Sequence, residues 1–168
     1  MIEKKSNING IKSIAKYSDC EKYRYVLTRV WNDKGERVMF IGLNPSTANE
    51  IKNDPTVTRM VNFSKKWGFG SITVCNLFAF RSTFPKYMKN EEDPVGIQND
   101  KLIKEELNKV NLVVAAWGNH GKFLNRGTEV LKYLKDFHHF GFTKLNEPRH
   151  ILYLSNNVYL KQKEVPFQ

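Results

Sequence analysis

The chain has 168 residues, 40% of them hydrophobic and 12% aromatic. That suffices for one domain with a real core, is too short for two ordinary ones, and excludes long disorder away from the ends. Lys and Arg number 27 against 17 Asp and Glu, a net charge of +10, which attracts polyanions and makes nucleic acid the first candidate partner and a nucleotide the second.

Two cysteines, Cys20 and Cys75, cannot build a disulfide framework or a four-cysteine zinc site. Cys75 sits in an apolar run and reads as a small hydrophobe. No apolar stretch follows Glu3, Lys4 and Lys5, so neither a signal peptide nor a membrane span is expected, and the protein is expected to be cytoplasmic.

Residues 1–22 are polar and weakly patterned and read as an N-terminal arm or a short extra helix, with a single α/β domain over 23–168. Tyr23 to Trp31 alternates as a strand, and Asn32-Asp33-Lys34-Gly35 marks a turn into Arg37 to Leu43, a buried strand. The two are expected to pair as a hairpin at the sheet edge. Asp54 as N-cap and Pro55 at the first helical position open a helix that Gly68 stops. Ile72 to Leu77 is a second buried strand. After a polar loop holding Pro85, Asp93, Pro94 and Gly96, a helix through Ile103 and Leu107 leads into a strand from Leu112 to Ala116. Gly118 and Gly121 make a tight strand-to-helix junction. The next helix shows one face of Phe123, Leu124, Gly127, Val130, Leu131 and Leu134. Phe142 to Leu145 is expected as a short last strand, and Pro148 to Leu154 as a loop or edge segment.

Strands alternating with helices predict a three-layer α/β/α domain with a central, mostly parallel sheet of about four strands. Ligands then bind at the carboxyl ends of the strands, where four polar motifs fall. In Gly42-Leu43-Asn44-Pro45-Ser46-Thr47-Ala48-Asn49, Gly42 permits close backbone approach, Pro45 stiffens the turn, and Ser46 offers a short polar group. An Asn holding its own loop explains the motif equally well. In Cys75-Asn76-Leu77-Phe78-Ala79-Phe80-Arg81, the Asn76 amide can donate and accept together, as a pyrimidine edge requires. Phe78 or Phe80 could stack on a base, and Arg81 could meet a phosphate; the alternative is a strand cap and core phenylalanines. Ala116-Trp117-Gly118-Asn119-His120-Gly121-Lys122 could hold an anion on its amides but lacks P-loop spacing. In Glu147-Pro148-Arg149-His150-Ile151-Leu152-Tyr153-Leu154, His150 could donate to a leaving base or be merely structural. His138-His139 has no companion carboxylates and reads as surface rather than metal.

In order, these motifs resemble a bacterial and phage family of unknown function with a Leu-Asn-Pro-Ser-Thr-Ala signature. Its pattern continues through Asp54-Pro55-Thr56 with Arg59, Asn76-Leu77-Phe78 with Arg81, Asp93 to Gly96 with Asn99-Asp100, and Ala116-Trp117-Gly118. The resemblance covers roughly Tyr23 to Leu154. The motifs in turn resemble the uracil-DNA glycosylase superfamily, whose fold the resemblance implies. By that resemblance Asn44 positions the attacking water with Asp54 as electrostatic partner, and Asn76 reads the flipped base. Gly42, Pro45, Ser46, Phe78, Arg81, Trp117, Gly118 and Asn119 line the substrate site, and His150 steadies the departing base. Lys122, Arg149, Arg81 and Arg59 meet phosphates. The chain departs from the glycosylases in having Ile151 where their closing loop has Pro, which leaves the DNA wedge open.

The expected function is binding of a nucleobase or nucleotide unit in DNA, with N-glycosidic hydrolysis as the reaction and no metal or organic cofactor. The alternatives are a non-catalytic module that binds a modified base or nucleotide, and a small-molecule nucleoside or nucleotide hydrolase. An intolerant Asn44 separates the first from the second, and scattered surface charge around a closed pocket would mark the third.

Overall fold

In the computed structural model, which describes residues 1–164, Asn9 and Gly10 both take positive φ, 51° and 79°. This is the two-residue turn that suits the twist of a β-hairpin. It joins β1 (Ile2–Ile8) to β2 (Ile11–Tyr17), with Ile8 opposite Ile11. The N-terminal residues are therefore neither an arm nor a helix. Ser13, Ala15 and Tyr17 of β2 face inward at period two while Lys12 and Lys16 stay out on the other side.

The hairpin continues through β3 (Arg24–Val30) into an eight-stranded sheet ordered β1-β2-β3-β5-β4-β6-β7-β8. Four central strands are parallel: β4 (Arg37–Gly42), β5 (Ser71–Asn76), β6 (Leu112–Ala115) and β7 (Asp136–His139). β8 (Lys161–Glu164) closes the other edge, antiparallel to β7. The sheet is thus mixed, wider than the expected four strands and parallel only at its centre.

β3 and β4 do not pair. β5 lies between them, antiparallel to β3 and parallel to β4. The Asn32–Gly35 turn instead passes the start of β5, where the Trp31 and Asn32 amides donate to Gly70 O at 3.1 and 3.0 Å. A Cβ on Gly35 would lie 2.7 Å from Gly70 Cα, so two glycines make this crossing possible.

Four helices cover the sheet: α1 (Pro55–Lys66), α2 (Pro85–Lys89), α3 (Asn99–Leu107) and α4 (Arg126–Leu131). α1 forms as its sequence predicts. Asp54 Oδ1 accepts from Val57 N at 2.9 Å, Pro55 needs no donor partner, and Val57, Met60, Val61 and Phe63 make the buried stripe. Strand alternation sends Val38, Phe40, Ile72 and Val74 to the α1 face. It sends Met39, Ile41 and Cys75 to the face packed by Leu102 and Ile103 of α3 and Val130 of α4. Each fully buried side chain of this kind contributes about 1.5–3 kcal/mol. Cys75 is a core residue, and burial pushes its thiol pKa up.

Three further expectations change. The stretch after Gly118 is a 3-10 turn over Asn119–Asn125, with Phe123 and Leu124 non-helical and Leu124 exposed, so the true helix is only α4. Phe142 to Leu145 is no strand; Phe142 makes one isolated bridge with Pro148, and β7 precedes it. His139, expected at the surface, is buried in β7, where its Nδ1 accepts from Gly141 N at 2.9 Å. Among the described residues no helix is long and apolar enough to cross a membrane.

Candidate functional site

The chain runs from β4 through α1 to β5 on one side, then returns to β6 on the other side of β4. That reversal opens a crevice beyond the carboxyl ends of the strands. A cavity of about 780 Å³ lies there. Its walls come from the segments following each parallel strand: Leu43, Asn44 and Ser46 after β4, Ser82, Thr83 and Pro85 after β5, Trp117 to His120 after β6, and Thr143, Arg149, His150 and Leu152 to Leu154 after β7. Asp54, Pro55 and Thr56 at the start of α1 complete it.

Asn44 is oriented from one end. Its Nδ2 donates to Ser82 O at 2.8 Å and to Pro45 O at 3.1 Å, which leaves Oδ1 as a pure acceptor. Asp54 is buried, and both its oxygens accept backbone amides: Oδ1 from Val57 and Oδ2 from Ala48 at 3.3 Å. It is a helix cap and a wall of the cavity at once.

The loop between Asn44 and Asp54 is held by two buried arginines of β3. Arg24 Nη1 donates to Ala48 O at 2.6 Å. Arg29 donates to Asn53 Oδ1 at 3.0 Å and to Asn49 O at 2.5 Å. Desolvation lowers the Arg24 pKa to about 10, against the pull of Asp54, which still leaves it cationic at neutral pH. Nothing in the sequence distinguishes these inward arginines from ordinary strand arginines.

His150 is oriented in the opposite sense to Asn44. Its Nδ1 accepts from Leu152 N at 3.1 Å, so the neutral ring carries its proton on Nε2. Desolvation lowers its pKa below 6.5, with Asp54 opposing. The ring is therefore neutral at pH 7 and presents a donor. Gly118 N donates to Pro148 O at 2.8 Å, and a Cβ on Gly118 would meet His150 Cβ at 3.3 Å. The third and fourth sequence motifs thus touch.

Trp117 is a buried strut. Its Nε1 donates to Glu147 Oε2 at 2.7 Å. Gly121 and Gly127 pack against the ring and the carboxylate so closely that a Cβ at Gly121 would sit 2.2 Å from Trp117 Cδ1. Desolvation raises the Glu147 pKa, opposed by the Trp117 donation. Of the motif's two glycines, Gly121 makes room for the indole and Gly118 for His150.

The cavity brings together Asn44, Ser46, Asp54, Trp117, Gly118, Asn119, Arg149 and His150 of the residues expected from sequence. Others lie elsewhere. Gly42 and Asn76 are paired neighbours behind the lining, and Asn76 Oδ1 would lie 2.8 Å from a Cβ on Gly42. Asn76 Nδ2 is buried without a partner. Pro45 is buried beside the cavity, its carbonyl accepting from Ser82 N. Phe78 is fully buried and packs on Phe123 at 5.6 Å, so it stacks on no ligand; Phe80 packs edge-on against Tyr23 at 5.7 Å. Arg81 lies over the Tyr17 ring at 5.2 Å and donates to Glu21 O at 3.1 Å. Arg59 spends its guanidinium on the segment after His150, donating to Ile151 O at 3.1 Å, Leu154 O and Asn156 Oδ1. Lys122 is exposed outside the lining, and Ile151, at the expected wedge, is fully buried. Tyr153, part of the fourth motif but given no role there, and Thr143, which was not singled out, also line the cavity, because isolated Thr and Tyr carry no signal of their own.

Among the described residues no three His, Cys, Asp or Glu side chains form a metal-binding group. A family model described as a protein of unknown function, DUF1643, matches residues 24–152. No curated protein and no solved structure matches. The family match takes in β3 through Leu152 of the cavity-closing segment, and the chain belongs to the DUF1643 family of proteins of unknown function.

Proposed function

We propose that the cavity receives a nucleobase unstacked from DNA and that the protein hydrolyses the N-glycosidic bond, on a three-layer, uracil-DNA glycosylase-like framework. One observation carries this reading: Asn44 and His150 face the same cavity with opposite polarity, each fixed at its other end by backbone. Asn44 Oδ1 accepts from a water beside the anomeric carbon. His150 Nε2–H donates to the base as the C–N bond breaks and its electron pair moves onto the ring. The water oxygen then bonds to the anomeric carbon, and its proton returns to the departing base. Such donation is strongest in the transition state, where the charge develops, so it lowers the barrier rather than only tightening binding. Arg149 at the rim supplies charge for a phosphate.

A second reading has support of its own. Both oxygens of Asp54, the one carboxylate among the described lining residues, accept backbone amides, which ties it to a capping role. A module that holds a base without cleaving it would have the same walls.

Incubation with oligonucleotides carrying uracil, mismatched thymine or modified pyrimidines, read by mass spectrometry for free base, tests the proposal. Base release reduced by about two orders of magnitude or more in Asn44→Ala is expected. No release from any substrate would sink the hydrolytic step and leave the binding module.

A further inference from the structure

The cavity rim carries aromatic rings that the reaction does not use. Tyr153, on the closing segment, is 86% exposed. Phe84 lies between the lining residues Thr83 and Pro85 and is 62% exposed; Tyr87, on the next turn, is 61% exposed and meets Phe84 edge-on at 6.1 Å. Rings left in water at two segments bordering one cavity are costly to solubility and mark a contact surface. Cations accompany both: Lys86 and Lys89 flank Tyr87 on α2, and Arg149 precedes His150. The chain as a whole carries +10.

We infer that this rim is a stacking platform for single-stranded DNA, with the bases flanking the one in the cavity lying on Phe84, Tyr87 and Tyr153. The choice of DNA rests on the proposed function; the choice of an unpaired strand rests on the rim. In a duplex the flanking bases are already stacked on one another, and exposed rings at two separate places would find no free faces. An unpaired strand offers a face at each base, and stacking combined with nearby cations is how such strands are held without sequence preference. The residue placed to enter a duplex, Ile151, is buried beneath the segment.

Fluorescence anisotropy with the full chain tests this, using a labelled DNA of about 15 nucleotides, the length of one such binding site. The same strand annealed to its complement and an RNA of the same sequence are run alongside. Expected are single-strand DNA binding at least about tenfold tighter than duplex, and a loss of about tenfold for each of Phe84→Ala, Tyr87→Ala and Tyr153→Ala. The slope of affinity against salt stays the same in these variants and falls in Lys86→Ala. All four side chains are exposed, so unchanged circular dichroism spectra are expected. Duplex binding as tight as single strand, aromatic variants without effect, or tighter binding to RNA would each overturn the inference. Single-strand preference without base release would sink only the hydrolytic step, whereas base release with no strand preference would sink only the platform.

Discussion

Alanine at Gly121 tests whether Trp117 is wedged as the structure shows. The new Cβ would lie 2.2 Å from Trp117 Cδ1, 2.4 Å from Nε1 and 2.9 Å from Glu147 Oε2. The indole cannot withdraw without breaking its 2.7 Å donation to Glu147, a carboxylate that is itself buried. Overpacking costs about 1–3 kcal/mol, and losing a donor to a buried carboxylate adds about 1.5–3 kcal/mol. Together they predict a loss of about 2.5–6 kcal/mol. Gly127→Ala meets the same carboxylate at 2.9 Å but the indole only at 3.1 Å, and should lose about 1–2 kcal/mol. Gly68→Ala meets nothing within 4 Å and suffers only its φ of +85°, about 1 kcal/mol. Urea unfolding followed by tryptophan fluorescence, with the shift in midpoint read at unchanged slope, orders the three. Gly121→Ala within about 0.5 kcal/mol of Gly68→Ala would refute the packing described for Trp117.

Other expectations follow from the same coordinates. Asp54→Asn keeps a capping oxygen and should stay within about 1 kcal/mol of wild type, while Asp54→Ala loses the cap at about 1–2 kcal/mol, both read by thermal unfolding. Arg59→Ala removes three donations to the segment after His150, so amide exchange should accelerate over residues 150–156 and stay unchanged in α1; equal protection of that segment would show that Arg59 does not hold it. Desolvation lowers the pKa of His120, His138 and His150 below 6.5. The folded state then binds fewer protons than the unfolded one between each folded pKa and 6.5, so this stability is complete above 6.5 and is lost as pH falls through the folded values. Glu147, raised above 4.5, acts oppositely: its contribution is complete below 4.5 and is lost as pH rises through its folded value. Urea midpoints should therefore fall from about pH 7.5 to about pH 5.5, and less steeply in His150→Gln; an identical fall in that variant would remove His150 from the account.

How much of this was legible in the sequence depended on whether local chemistry or distant packing decided the outcome. α1 was readable because Asp54-Pro55 is a local start signal and Val57, Met60 and Val61 share one face. β4 and β5 were readable as apolar runs. The N-terminal hairpin was not, because the inward positions of β2 are Ser13, Ala15 and Tyr17, only one of them large, and its Asn9-Gly10 turn lay in a segment without an apolar run. The site divides in the same way. Asn44, Asp54, Trp117 and His150 sit at chain reversals that any such sheet directs to one edge. Arg59 and Arg81 have the residue type expected of phosphate contacts, but their guanidinium groups are occupied by carbonyls far away in sequence, at Ile151 and Glu21. Residue type suggested those roles; the carbonyl contacts could not be read from it. Tyr153 stood within the fourth motif, but its exposure beside a cavity is something no one-dimensional pattern records.

The insertion of β5 between β3 and β4 has a consequence for how the chain reaches its fold. β3 and β4 are joined by a short turn with hairpin chemistry, and both emerge from the ribosome before β5 and the whole of α1. Until β5 arrives, the edge that each strand will offer to it is open, and the nearest partner for either is the other. An early hairpin between them satisfies local rules and blocks the final arrangement, so it must open before the sheet can close. The fold therefore needs these two strands, neighbours in sequence, to be held apart by a third that comes from beyond α1. Gly35 and Gly70 leave room for that arrangement: a side chain on either would collide with backbone where the turn passes the start of β5.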